Sequence, residues 1–271
     1  MPWVSRGIRN GLLTSTWPKR DDAYFDGFPA AVTVGAAPTG SPATDDGVEA
    51  AVSGCPTQAI TEGERGLQLD RGRCILCGRC IAAAPDVFAW QHGSAVARLE
   101  RGALVVAQTP ESDAALHVLR TTLAARVRWL RRSVHIRHVD AGSDGSDEWE
   151  VQALTNPVYD LHRLGIFFTA SPRHADILLV TGIGTAEMVD PLLRARQAMP
   201  DPVVVIAAGS DAISGGLIGR GYTSGHGIGG LVDVDVWVPG SPATPFTLLH
   251  AILLALGRVP PAAAPVPAGE R

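Results

Sequence analysis

The residues whose type and spacing point most directly to chemistry are four cysteines, Cys55, Cys74, Cys77 and Cys80. Cys74-Ile-Leu-Cys77-Gly-Arg-Cys80 is a Cys-x-x-Cys-x-x-Cys run, the spacing that wraps three thiolates around one four-iron, four-sulfur cubane. Gly78 inside the run permits close backbone approach. Cys55 is followed by Pro56, as is the crossing ligand of two-cluster bacterial ferredoxins, so the four thiolates are complete for one 4Fe-4S cluster. A second cubane would need cysteines at Asp45, Val48 and Ala51, counting back from Cys55, and at Ala84, counting forward from Cys80. None is there. A structural zinc on the same four thiolates is the alternative, although zinc sites usually pair two Cys-x-x-Cys hairpins. Free core thiols are a third reading.

The elements that must position these residues are bounded by composition. With 271 residues and 46% hydrophobic content, the chain has material for two domains, each with its own core. A net charge of -4 provides no basic field, so nucleic acid is not an expected partner. Lys19 is the only lysine, a bias in usage rather than a signal of function. No amino-terminal apolar core with a small-residue cleavage site is present, and four cysteines in a reducing compartment indicate metal or redox chemistry. The longest apolar stretch, Phe246 to Leu256, falls short of the roughly 20 residues that cross a bilayer. The expected location is the cytoplasm, on the inner face of the cell membrane, with membrane contact peripheral or through partners.

Residues 1–30 form a basic arm in which Arg6, Arg9, Lys19 and Arg20 interleave with Trp3, Val4, Ile8, Leu12, Leu13 and Trp17. The cysteines fall in a region spanning 31–108. From Ser112 to Arg132, Leu116, Leu119, Leu123, Val127 and Leu130 recur at three- and four-residue steps, which predicts an amphipathic linker helix within 109–132. Beyond it, Val134 to Val139, Ile177 to Thr181, Val203 to Ala208 and Val232 to Val238 read as strands. Tyr159 to Phe167, Ala186 to Met199 and Pro245 to Leu256 read as helices between them. Strands alternating with helices predict a doubly wound parallel sheet over 133–258, whose ligand site lies beyond the strand ends, in the loops after Asp140, Thr181, Ala208 and Val238. Residues 259–271, rich in Pro and Ala, read as a disordered tail.

The second half resembles a known family in dense text. Leu154-Thr-Asn-Pro-Val-Tyr-Asp-Leu-His-Arg-Leu-Gly-Ile-Phe-Phe-Thr-Ala-Ser-Pro-Arg-His-Ala-Asp-Ile-Leu-Leu-Val-Thr-Gly, with Asp140-Ala-Gly-Ser, Gly209-Ser, Ser214-Gly-Gly and Val238-Pro-Gly, is similar to the small subunit of group 4 nickel-iron hydrogenases and formate hydrogenlyase, homologous to the 20 kDa subunit of respiratory complex I. Arg6-Gly-Ile to Trp17-Pro18 and the cysteine elements resemble the ferredoxin subunit of the same complexes. The resemblance implies a fusion of two neighbouring subunits: a ferredoxin-like cluster domain followed by a flavodoxin-like α/β domain. It also implies a cubane in the second domain, held by four cysteines. Here those positions read Asp144, Asp147, Asp211 and Ser241. A degenerate cluster site is the expectation, either a polar water-filled pocket or a set of carboxylates that binds a divalent cation or relays protons.

The function implied is an electron-transfer or structural subunit, not catalytic alone, of a membrane-associated oxidoreductase with a hydrogenase-like large subunit and membrane subunits. A redox sensor or assembly scaffold using the same cluster is the alternative. Rival constellations are weaker. Gly182-Ile-Gly184 suggests a phosphate loop but lacks the third glycine. The Gly221 to Gly230 stretch with His226 reads as a surface loop or lid, Ser210 and Ser214 lack a nucleophile elbow, and His135, His138, His162 and His174 are dispersed.

Overall fold

A computed structural model describes residues 2–20, 27–35, 42–63, 66–107 and 133–259, with positions 121, 123, 125 and 127 between them. The amino-terminal part comprises α1 (Pro2–Asn10), β1 (Pro29–Val34), α2 (Pro42–Ser53), β2 (Ile60–Gly63), β3 (Gly66–Asp70), α3 (Arg79–Ala83), β4 (Phe88–His92) and β5 (Val105–Ala107). β1 pairs antiparallel with β4, and β2, β3 and β5 form an antiparallel sheet with β3 in the middle. Val32, Ile60, Leu67, Leu69 and Phe88 bury a small core between these strands and α2. The positions where a second cubane's ligands would stand have joined that core: Ala51 and Ala84 are buried, and Val48 packs against them. Asp45 faces outward.

The carboxyl-terminal part consists of β6 (Val134–Asp140), α4 (Ser146–Ala153), β7 (Ile166–Phe168), β8 (Ile177–Thr181), α5 (Ala186–Ala198), β9 (Val204–Ala208), α6 (Gly209–Ser214), β10 (Val236–Val238) and α7 (Pro245–Ala255). The five strands are parallel in the order β10-β9-β8-β6-β7, which is the 2-1-3-4-5 winding of flavodoxin-like sheets. Side-chain alternation explains the two layers. Ile177 and Leu179 enter the core beneath α7, whereas Leu178 and Val180 enter the core beneath α5 with Leu192.

Three sequence expectations need correction. Tyr159 to Phe167 is not a helix: a single 3-10 turn, Leu161–Leu164, lies between left-handed Asp160 and Gly165, and the edge strand β7 follows at once. Gly165 ends the turn, and Ile-Phe-Phe favours extended chain once it can pair with β6. The last strand covers only Val236–Val238 of the run beginning at Val232. The short helices α4 and α6 were not expected. Most of the linker helix, 109–132, lies outside the described residues, but Leu123 and Val127 are helical and buried while Thr121 and Ala125 are exposed, as the periodicity requires. The Pro- and Ala-rich tail, 259–271, also lies outside them apart from Val259.

The two parts are joined by backbone. Arg98 and Trp237 exchange both N–H···O bonds, at 2.9 and 2.7 Å. The base of the amino-terminal arm is pinned as well: Ser15 N–H donates to the Val158 carbonyl at 2.7 Å, and the buried Trp17 ring meets Phe246 of α7 edge-on at 6.1 Å.

Candidate functional site

The four cysteines come together. Cys55, just after α2, Cys74 and Cys77, in the loop that enters α3, and Cys80, in the first turn of α3, line one cavity with Pro56, Ile60 and Gly78. The loop winds tightly because Leu76 and Gly78 both take positive φ, 54° and 73°. Trp90 closes over Gly78: a Cβ there would stand 3.1 Å from the indole and would also be strained by φ. Burial pushes the Cys74 thiol up to about 12; the Leu76 backbone N–H opposes this, and the facing Cys80, Cys55 and Cys77 add to the rise. Burial also raises Cys80, with the Ile81 backbone N–H opposing. Ala59 N–H donates to Cys55 Sγ at 3.3 Å. Backbone donors are therefore aimed at three of the four sulfurs. Thiols so placed become thiolates only when a cation neutralises their mutual repulsion, and soft sulfur donors select iron-sulfur or zinc chemistry. Among the described residues, no group of three or more His, Cys, Asp or Glu side chains closes as the ligands of a single ion.

The second constellation sits beyond the carboxyl ends of the parallel strands, where β6 and β8 diverge to opposite winding directions. Asp147, in the first turn of α4, is 3% exposed, and its Oδ1 accepts the Ala243 N–H at 3.0 Å. Burial raises its carboxyl to about 8, opposed by that N–H and reinforced by Asp211, Glu148 and Asp144. Asp211, in α6, is also buried, and burial followed by Asp144 and Glu148 raises it. Asp144 behaves differently: hydrogen bonds from the Ser146 hydroxyl and N–H hold its exposed carboxylate below the ordinary range. The Ser241 turn is held from both sides, because the Gly240 carbonyl accepts the Ser210 N–H and Ala243 binds Asp147. All four positions named from the sequence therefore gather at one junction.

Glycines make room for these carboxylates. A Cβ on Gly209 would lie 1.9 Å from Asp147 Oδ2, and one on Gly216 would lie 1.8 Å from Asp211 Oδ1. Their role was invisible in the sequence, which separates Gly209 from Asp147 by many residues. A polar chain reaches the same junction. Thr181, fully buried, donates its hydroxyl to Glu148 Oε1, so its 2.9 Å contact with His138 Nε2 must be donated by the imidazole. Burial lowers the His138 pKa, consistent with a neutral ring donating through Nε2. Glu148 Oε2 is enclosed without a hydrogen-bond partner among the described residues.

One hydrogen bond joins the two sites. Ser214, at the end of α6 beyond Asp211, donates to the carbonyl of Gly72 at 2.9 Å, and Gly72 lies two residues before Cys74. A Cβ on Gly72 would press on Ile213 at 2.6 Å, so the cysteine loop and α6 are in direct contact.

The rival readings fare differently. The amides of Ile183, Gly184 and Thr185 donate to the carbonyls of Gly142 and Ala141, so these three are committed within the fold and not presented to a phosphate. Ile228 is buried and Gly227 N–H binds the Ile183 carbonyl, so the later part of the glycine-rich segment is packed, although Tyr222 is fully exposed. His135 and His162 stack on Phe167, and His138 serves Thr181.

A doubly wound α/β sheet with its polar junction at the strand switch point defines the class. Residues 145–255 match the family of the NADH ubiquinone oxidoreductase 20 kDa subunit, and the chain belongs to it. It is 35% identical over 151 residues to a probable membrane-bound hydrogenase subunit of Pyrococcus furiosus, covering 53% of this chain and 90% of that protein. It is 41% identical over 134 residues to formate hydrogenlyase subunit 7 of Escherichia coli, covering 49% of this chain and 52% of that one. The chain thus spans about half the length of the latter relative. Among solved structures, a chain of the membrane-bound sulfane sulfur reductase, an archaeal respiratory membrane complex, is 28% identical with a TM-score of 0.41, over 51% of this chain and 72% of that one. Among the described residues, no helix is long and apolar enough to cross a membrane.

Proposed function

We propose that the chain is an electron-transfer and structural subunit of a membrane-associated, hydrogenase-like oxidoreductase related to complex I, carrying one 4Fe-4S cluster on Cys55, Cys74, Cys77 and Cys80. The observation that carries this reading is the convergence of all four cysteines on one cavity, with backbone N–H groups aimed at the sulfurs. A cubane takes one thiolate per iron, so its ligands need not close on one point as those of zinc must. When bound, the group supplies transfer of one electron at a time. The protein's part is to exclude water with Trp90, Ile60 and Val32 and to set hydrogen bonds to sulfur, which tune the potential.

The amino-terminal part, 31–108, acts as the ferredoxin-like domain, and 133–258 packs against a hydrogenase-like large subunit and membrane subunits, with 109–132 linking them. Kinship with subunits of formate hydrogenlyase and a membrane-bound hydrogenase supports those partners. Asp144, Asp147, Asp211 and Ser241 stand where a second cubane would be held and bind none: oxygen donors do not replace four thiolates.

Iron and sulfide analysis of anaerobically purified protein tests this. About four of each per chain is expected. About eight irons would show that the carboxylate site is loaded, and one zinc without sulfide would overturn the cluster. Affinity purification from membranes should bring down a large subunit and membrane proteins; a chain recovered alone would count against the complex.

A further inference from the structure

We infer that α1 is a lipid-binding element that lays this chain directly on an anionic bilayer surface. The inference rests on the membrane-associated reading above and deepens it, because the contact is made by this chain and not only through partners.

At 100° per residue, Trp3, Gly7, Val4 and Ile8 of α1 occupy one arc of about 140°, while Ser5, Arg9, Arg6 and Asn10 occupy the opposite arc. In a soluble protein, such an apolar arc should face a core. Among the described residues nothing covers it: no residue of α1 is buried, and Trp3 is 71% and Ile8 79% exposed. A Cβ on Gly7 or Gly11 would meet no atom within 4 Å, so no described segment covers the helix at these positions. Leu12 and Leu13, just past its end, extend the exposed apolar surface at 97% and 60%.

Charge selects the occupant. Arg6, Arg9, Lys19 and Arg20 are exposed and no acid occurs before Asp21, so α1 and the residues up to Arg20 carry only positive side-chain charge. Trp3 supplies the amphipathic ring that settles at headgroup depth, and the arginines flank the apolar arc where anionic headgroups lie. The helix is too short to span. It is also firmly attached, because Ser15 binds Val158 and the Arg163 guanidinium donates to the Trp17 carbonyl, so adsorption of α1 would hold the whole carboxyl-terminal part at the surface.

The test is flotation of the anaerobically purified full chain with vesicles of phosphatidylcholine alone or mixed with phosphatidylglycerol. Binding to the anionic vesicles is expected, weakening as salt rises. Removing both charges with Arg6→Gln and Arg9→Gln should lower partitioning about thirtyfold. Trp3→Ser with Ile8→Ser should lower it at least tenfold while leaving iron content and melting unchanged, since neither side chain is in a core. No flotation with anionic vesicles, equal flotation of the Trp3/Ile8 variant, or attachment only when a membrane subunit is added would overturn the inference. Iron content and co-purification, measured separately, report on the redox-subunit reading, so either can fail without the other.

Discussion

The cysteine cavity and the carboxylate junction present the same electrostatic problem with different solutions. In each, several acidic groups face one another from separate segments of the chain at a partly buried seam. Burial holds the protons of Cys74 and Cys80 above the ordinary thiol range, so their ionisation must be driven by a strongly bound soft metal centre. At the carboxylate junction the cheaper route is protonation: Asp147 stays neutral up to about pH 8, one backbone N–H satisfies it, and Asp144 remains charged at the rim. Under the proposed function the two regions relieve the same repulsion differently, one with a soft metal centre and the other with a proton on Asp147.

The comparison breaks first at the cysteines. Replacing Cys74 by Ser should abolish retention of iron and sulfide, whereas Asp147→Asn or Asp211→Asn should leave iron content unchanged; elemental analysis separates the two regions directly. Next in size is Gly209→Ala. Its Cβ would collide with Asp147 Oδ2 at 1.9 Å and its φ is +90°, so a loss of about 3 kcal/mol or more is expected in urea unfolding. Asp147→Ala in the same chain should recover the part due to collision but not the part due to φ.

A smaller effect follows from the raised Asp147. The folded state binds its proton more tightly than the unfolded state, so stability is full below the unfolded value near 4 and declines as pH rises through about 8. Asp147→Asn should flatten that decline and raise the melting midpoint at pH 8 by roughly 5 °C, read by circular dichroism. An unchanged pH profile would show that Asp147 is charged in the fold. The smallest is Ser214→Ala, which removes the hydrogen bond to Gly72 and should cost about 1 kcal/mol.

What was legible in the sequence was local or periodic. The spacing of Cys74, Cys77 and Cys80 is a property of seven consecutive residues, and the continuous apolar runs of β8 and β9 declare strands buried on both faces without reference to neighbours. The resemblance supplied the four positions gathered by the acidic junction. Reading failed where pairing or distant contact decides. Leu161 to Phe168 has apolar residues at helical and strand spacings alike, and only the open edge of β6 settles the matter. Gly182-Ile-Gly184 looks available until Ala141 and Gly142 are seen to take the amides of Ile183 and Gly184. Gly209 and Gly216 look like ordinary turn residues until the carboxylates resting on them are known.

Every residue of α7 is buried, including both ends. The sheet covers one side; Trp17, Phe28 and Tyr159 close on Phe246 from another, and Leu123 and Val127 belong to the same apolar cluster. If the chain descends from two separate subunits, this helix makes the union hard to reverse. A cut that released residues 133–259 from what precedes them would leave a greasy stripe in water, and the fragment would aggregate or require a substitute for the lost amino-terminal cover.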